Sequence, residues 1–337
     1  MTHRGWSPMR AAAWPTRTGC SDFRVAASAE FSMSPALKLG LCIRCIHAVA
    51  EEARAAEDLG FDYFTCGEHV FFNIDCENSL IALAAAAGAT QRIRLMSSIT
   101  LAPLYPAALL AKQVATLDQA SAGRFELGIG IGGEIEAEFA ACQVPVKERG
   151  ARTDEALTVL RRLFTEDDVT FAGRFTTLQC VTLQPKPVQT HLPIWISGRS
   201  EAAMRRCANF GDGWLPYMFS PERLQHSVQS ITQLMHSRAR RKTIQMGVYL
   251  PVTVHRDGQI AFDMANQVLS AEYAQDFSKL IGKYTLTGTP ENCVARLREY
   301  QAAGATTVVL ASICPPEYQT QNLQLIAESV LPALRTT

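Results

Sequence analysis

Short apolar runs that alternate with helical stretches from Leu37 to Leu334 predict an α/β fold, a (β/α)8 TIM barrel. Two further features point the same way. A helix–glycine–strand module recurs at Ala53–Cys66 and Leu297–Leu310, as an eightfold alternation requires. Leu192–Pro216 reads as strand, small-residue turn, helix, glycine and strand in one continuous stretch. A doubly wound parallel sheet is the runner-up. A barrel carries its chemistry on the loops after its strands, so candidate residues are sought there.

Leu37–Ile43 is the first strand. Ala48–Leu59, rich in Ala and Glu, is a helix closed by Gly60. Phe61–Cys66 is the second strand and ends at Gly67-Glu68-His69. Ser79 is expected to cap a helix running to Ala87, with Gly88 after it, before a third strand over Ile93–Ile99. Pro106–Ala120 is helical and ends at Gly123; Phe125–Ile131 is the fourth strand. Thr153–Phe164 is a strong helix, and Val169–Leu178 is a small hairpin-like excursion, with Gly173 at its turn, ahead of the fifth strand. That strand, Ile194-Trp195-Ile196, has the apolar character of a buried parallel strand and leads into a helix over Glu201–Phe210. Gly211 stands where a helix end favours positive φ, and Trp214 lies in the sixth strand. Pro221–Arg238 is helical and Gln245–Val254 is the seventh strand. Pro290–Ala303 is a helix stopped by Gly304, Thr306–Ala311 is the eighth strand, and Gln321–Leu334 is the last helix.

Composition narrows the function. The 337 residues carry 32 basic and 32 acidic side chains, so nothing marks a nucleic-acid or anionic-membrane surface. The apolar stretches are alanine-rich and fall short of the ~18 residues that a membrane span needs. Ten scattered cysteines form no disulfide framework, which makes a reducing cytoplasm the default. Residues 1–34 carry Arg4, Arg10, Arg17 and Arg24 with no structural period and no apolar core of a secretory signal. A disordered leader, or a start placed upstream of Met33, fits them better than a transit peptide. Residues 35–337 are expected to be one barrel domain.

The turn Ser197-Gly198-Arg199-Ser200 opens a helix. Free N–H groups, the helix dipole and Arg199 there all favour an anion such as a phosphate, with Ser197 or Ser200 as the cap. An ordinary capped βα turn has the same letters. Gly128 to Gly133 matches G-x-G-x-x-G, but on the fourth strand and without a compact return to a ribose-binding acid. Alternating glycines along a strand also admit a close neighbour or a flat ligand. Cys42 and Cys45 form one C-x-x-C with no second pair, so no metal is expected. No G-x-S-x-G or H-E-x-x-H is present. The basic run Arg238–Lys242 reads as a solvated helix end, and Phe71 and Phe72 suit a pocket, a dimer face or core equally.

Several ordered motifs resemble the bacterial luciferase-like monooxygenase superfamily. They include Leu110-Ala111-Lys112-Gln113, Ser121-Ala122-Gly123-Arg124, Leu127-Gly128-Ile129-Gly130, Glu148-Arg149-Gly150, Pro185-Lys186-Pro187, Pro193-Ile194-Trp195-Ile196, Asp212-Gly213-Trp214 and Leu286-Thr287-Gly288-Thr289-Pro290-Glu291. Gly67-Glu68-His69-Val70 and Val144–Gly150 most resemble the branch that uses the deazaflavin coenzyme F420 rather than FMN. The resemblance implies a barrel with a flavin-type cofactor at the strand carboxyl ends, and a homodimer. It implies that Ser197, Gly198, Arg199 and Ser200, with Gly213 nearby, hold the cofactor phosphate. It places a non-prolyl cis bond at Ser98-Ile99 against the ring, leaves room for the ring at Gly130 and Gly132, and makes His69, with Glu68 beside it, the catalytic pair. Adjacent strand-end residues point to opposite sides, so only one of that pair is expected to face the pocket. Two positions depart from the pattern: Gly133-Glu134 replaces an aromatic, and Asn73 stands where some deazaflavin dehydrogenases carry tryptophan.

The expectation is therefore an F420-dependent oxidoreductase acting on a small organic molecule. The alternatives are an FMN-dependent monooxygenase, a non-catalytic flavin-binding barrel, and a barrel hydrolase, for which no nucleophile or carboxylate pair is evident after the strands.

Overall fold

The computed structural model describes residues 36–43, 46–237, 243–273 and 275–335. The expectations for the leader, Cys45 and Arg238–Lys242 lie outside these residues. Eight parallel strands close into a barrel: β1 Lys38–Cys42, β2 Tyr63–Cys66, β3 Arg94–Ser97, β4 Phe125–Gly130, β5 Ile194–Ile196, β6 Gly213–Trp214, β7 Gln245–Val254 and β8 Thr307–Ser312. Each pairs with the next, and β8 pairs with β1 through Leu39↔Val308 to close the ring.

The strands are largely apolar because both faces are covered. Leu39, Phe64, Leu95, Leu127, Ile194 and Val308 point outward into the main core under the helices, where each buried side chain contributes about 1.5–3 kcal/mol. The alternate residues Cys42, Tyr63, Met96, Trp195 and Val309 fill the barrel interior. Buried Glu126 joins that interior, where its carboxylate accepts from Trp195 Nε1 (2.5 Å) and Tyr63 Oη (3.2 Å) and pairs with Arg94 (2.5 Å).

Several local features differ from the sequence reading. Asn78, not Ser79, caps the Ser79–Ala89 helix by accepting from the Ile81 N–H. The Ser79 hydroxyl is drawn instead to Glu68. Gly211 is extended at φ −76°; its lack of a side chain answers to crowding, since a Cβ would stand 3.0 Å from the Cys207 carbonyl oxygen. The excursion before β5 is a two-stranded hairpin, Val169–Ala172 with Thr177–Val181. Between β7 and β8 the chain also inserts helices Gly258–Tyr273 and Ser278–Tyr284 and a short strand, Leu286–Gly288, paired with the far end of β7.

Candidate active site

The carboxyl ends of β2 to β6 stand side by side, and nearly all the candidate residues lie there. After β2 the chain turns through Gly67, Glu68 and His69. Glu68 is buried. Its carboxylate accepts from the Ser79 hydroxyl (2.7 Å) and N–H (3.1 Å), the Leu101 N–H (2.7 Å) and the Tyr105 hydroxyl (3.1 Å). Burial pushes this carboxyl upward in pKa, and the hydrogen bonds work against the shift.

His69 turns to other partners. Its Nδ1 lies 3.0 Å from Glu138 Oε1, and its ring stacks on Phe72 with centroids 4.5 Å apart. The same Glu138 oxygen accepts from the N–H groups of Val70 (2.6 Å) and Phe71 (3.3 Å), so one buried carboxylate shapes the loop and orients the imidazole. With Glu138 ionised, Nδ1 carries the proton and Nε2 is the nitrogen left for exchange. The divergence of Glu68 and His69 agrees with the alternation expected at a strand end. Glu138 escaped the sequence reading. Its signal was an acid on the short helix Glu136–Ala141, a weak one at six residues.

The bond between Ser98 and Ile99 is a non-prolyl cis peptide. The Ser98 hydroxyl turns to Thr65 Oγ1 (3.0 Å). A Cβ on Gly130 would fall 2.2 Å from Ile99 Cδ1, and one on Gly128 would fall 1.9 Å from the Ser97 carbonyl oxygen. Gly130 thus admits the Ile99 side chain rather than leaving space beside it. Gly132 has φ +56° and packs under Leu101 and Phe139. Gly133 follows at φ +111°, and Arg149 occupies the place that its Cβ would take.

After β5, Gly198 has φ +138°, and a Cβ there would meet Ala203 Cβ at 2.7 Å. Only glycine lets this turn tighten onto the helix behind it. Ser200 caps that helix by accepting from the Ala203 N–H (3.3 Å). The amides of Glu201 and Ala202 have no carbonyl of their own helix to bond. Arg199 stacks over the Tyr217 ring (4.6 Å), and the Tyr217 hydroxyl donates to Glu134 (3.2 Å), linking the loops after β4, β5 and β6. Gly213 is the exception among the candidates. It lies level with Trp195, two residues below Ser197, and a Cβ would strike the Trp195 ring at 2.2 Å. It serves barrel packing rather than the mouth.

Among the described residues no cluster of His, Cys, Asp and Glu is placed to hold a metal, and no helix is long and apolar enough to cross a membrane.

The Ser197–Ser200 turn, the Ser98-Ile99 cis bond and His69 thus stand at one mouth of a parallel barrel. The family model for luciferase-like monooxygenases matches residues 43–307, and the chain belongs to that family, whose members are oxidoreductases and monooxygenases. An uncharacterised protein of Mycobacterium tuberculosis is 29% identical over 187 residues, 49% of this chain and 66% of that protein, a little under two thirds of its length. The FMNH2-dependent dimethylsulfone monooxygenase of Pseudomonas putida is 32% identical over 172 residues, covering 48% of this chain and 46% of that one. The 5,10-methylenetetrahydromethanopterin reductase of Archaeoglobus fulgidus is 25% identical over 323 residues, covering 84% and 94%. Among solved structures, monooxygenase RslO1 of Streptomyces bottropensis superposes with TM-score 0.78 at 25% identity over 88% of this chain and 99% of that one. An F420-dependent secondary alcohol dehydrogenase, bound to an F420-acetone adduct, shares the fold with TM-score 0.77 at 22% identity over 89% and 99%.

Proposed function

We propose that this protein is an oxidoreductase that binds coenzyme F420 at the carboxyl mouth of the barrel and moves a hydride between it and a small organic substrate. The observation that carries the reading is the likeness to the Archaeoglobus reductase along most of both chains, against a likeness to the FMNH2-dependent monooxygenase confined to about half of each.

The residues at the mouth fit such a cofactor. Gly198, Arg199, Ser200 and the first turn of the Glu201–Phe210 helix form a cradle for its phosphate, with Ser197 at the entrance. Ile99, seated over Gly130, offers an apolar wall for the ring. Bound, F420 supplies or accepts the hydride. His69 holds or moves the accompanying proton at Nε2, oriented through Nδ1 by Glu138. Glu68 assists by tying the β2 end to Leu101 and Tyr105, a positioning part rather than proton transfer.

The protein works as a homodimer in a reducing cytoplasm on this reading. The Ser79–Ala89 helix exposes Ile81, Ala84, Ala85 and Gly88, and Leu109 stands exposed on the Ala107–Ala120 helix. A helix apolar on all sides calls for cover, and a second copy provides it.

The FMN-dependent monooxygenase is the second reading, favoured by the 32% identity to the Pseudomonas enzyme. Fluorescence titration with F420 and FMN, each oxidised and reduced, separates the two. Tight F420 and weak FMN binding supports the proposal. The reverse preference moves the protein to the second reading, and binding of neither refutes both.

A further inference from the structure

A cavity of about 370 Å³ opens at the same rim, between the loop that carries His69 and the first inserted helix. Its walls come from three connections: Asn73 and Ile74 after β2, Gln267, Val268, Ala271 and Glu272 on the Gly258–Tyr273 helix after β7, and Pro315-Pro316 after β8. All three follow strand carboxyl ends, so the cavity shares the mouth of the candidate active site rather than the opposite end of the barrel.

The helix explains how the wall arises. Ala261, Ala265 and Leu269 are its buried stripe. Residues 267, 268, 271 and 272, at spacing i, i+1, i+4 and i+5, form the adjacent stripe that faces the cavity. Ile74 of the loop opposite lines the cavity and is exposed, and Val70 and Phe71, outside the lining on the same loop, are exposed too, Phe71 by 51%. A surface loop that spends three apolar side chains on solvent, beside a cavity at a reactive mouth, is built to meet an apolar ligand. Among the described residues no Lys or Arg lines the cavity, and the charged residue in its lining is the acidic Glu272. An anion meets no positive charge among those residues. The amides of Asn73 and Gln267 both donate and accept hydrogen bonds, which suits an uncharged polar group.

We infer that this cavity takes the substrate, a neutral and largely apolar molecule whose polar function is an uncharged hydrogen-bonding group such as a hydroxyl or carbonyl. The inference rests on the proposed function for its placement beside His69, and it assigns the substrate class which that reading leaves open. It also gives Asn73, which replaces an expected tryptophan, a part in recognition.

The test uses the full chain without cofactor and the neutral apolar fluorophore N-phenyl-1-naphthylamine as probe. Its fluorescence should rise on binding and saturate. 1-Octanol should displace it at a concentration at least tenfold lower than octanoate at pH 8. Ala271→Arg and Ile74→Asn, both at exposed positions, should each weaken probe binding at least tenfold, whereas Ile260→Ser, on the same helix but outside the cavity, should leave it unchanged. Equal displacement by octanoate overturns the inference. So does probe binding that survives both cavity variants, or that falls as rising protein concentration drives self-association, which would mean that a second copy covers the cavity. A chain that binds F420 tightly but not the probe refutes this inference alone; one that binds the probe but neither cofactor refutes the proposed function.

Discussion

Gly130→Ala should destabilise the protein through a single side chain, and the damage should be reversible. The added methyl would sit 2.2 Å from Ile99 Cδ1 and 2.9 Å from Cγ1, but 3.7 Å from Cβ. Favourable carbon contacts need about 3.5–4.0 Å, so the end of Ile99 must retreat by more than about 1 Å. Overpacking of this kind costs about 1–3 kcal/mol. Ile99→Ala removes both offending atoms and leaves only the ordinary contact at Cβ. The double variant should therefore be more stable than the sum of the two single effects predicts, with a coupling of at least about 1 kcal/mol. Gly128→Ala is the control. Its methyl would stand 1.9 Å from the Ser97 carbonyl oxygen, a backbone atom, and Ile99→Ala cannot relieve it. Urea unfolding of the four-member cycle reads the coupling, and fluorescence titration with F420 and FMN reads whether displaced Ile99 obstructs the mouth. Additive effects in the Gly130/Ile99 cycle, or equal rescue of Gly128→Ala, would refute the placement of Ile99 over Gly130.

Other consequences can be checked directly. Glu138→Ala should cost about 1–3 kcal/mol in stability, because the N–H groups of Val70 and Phe71 lose a charged acceptor; it should also change the 15N NMR pattern of the His69 ring, and an unchanged ring signature would sink the orienting role. Burial raises Glu68 above its ordinary 4.5, so the folded chain holds this proton more tightly than the unfolded one. That contribution to stability is whole below pH 4.5 and is lost as pH rises through the folded value. The unfolding free energy of wild type relative to Glu68→Gln should therefore fall with rising pH above 4.5, and a rise would contradict the sign. Ile81→Glu, at a side chain 73% exposed, should convert a dimer to monomer in analytical ultracentrifugation with little change in unfolding midpoint; a dimer that persists places the interface elsewhere.

The eight barrel strands were legible because each is a short apolar run bounded by glycine or a polar turn. The helix cap was legible too, since Ser200 was one of the two serines offered for it. Long-range partners were not. Nothing local to Glu138 says that its carboxylate reaches back 69 residues to His69. Nothing near Glu68 foretells Leu101 and Tyr105 as its partners. The glycines of β4 were read as admitting a close neighbour or a flat ligand, and Gly213 of β6 as lying near the phosphate. Three-dimensional packing assigns the space beside them to Ser97, Ile99 and Trp195. The Gly258–Tyr273 helix was passed over because its buried stripe is only Ala261, Ala265 and Leu269, too faint a period to read unaided.

The candidate cradle, wall and histidine stand on the arc from β2 to β6, while the insertion after β7 is held by Val252↔Leu286 pairing and by a small core that it shares with Ile313 and Met218. On the proposed function this division makes the mouth modular: grafting the stretch that corresponds to Gly258–Gly288 from a relative should transplant substrate preference while cofactor affinity is kept. The barrel would then act as a fixed chassis on which new substrates can be tried one insertion at a time.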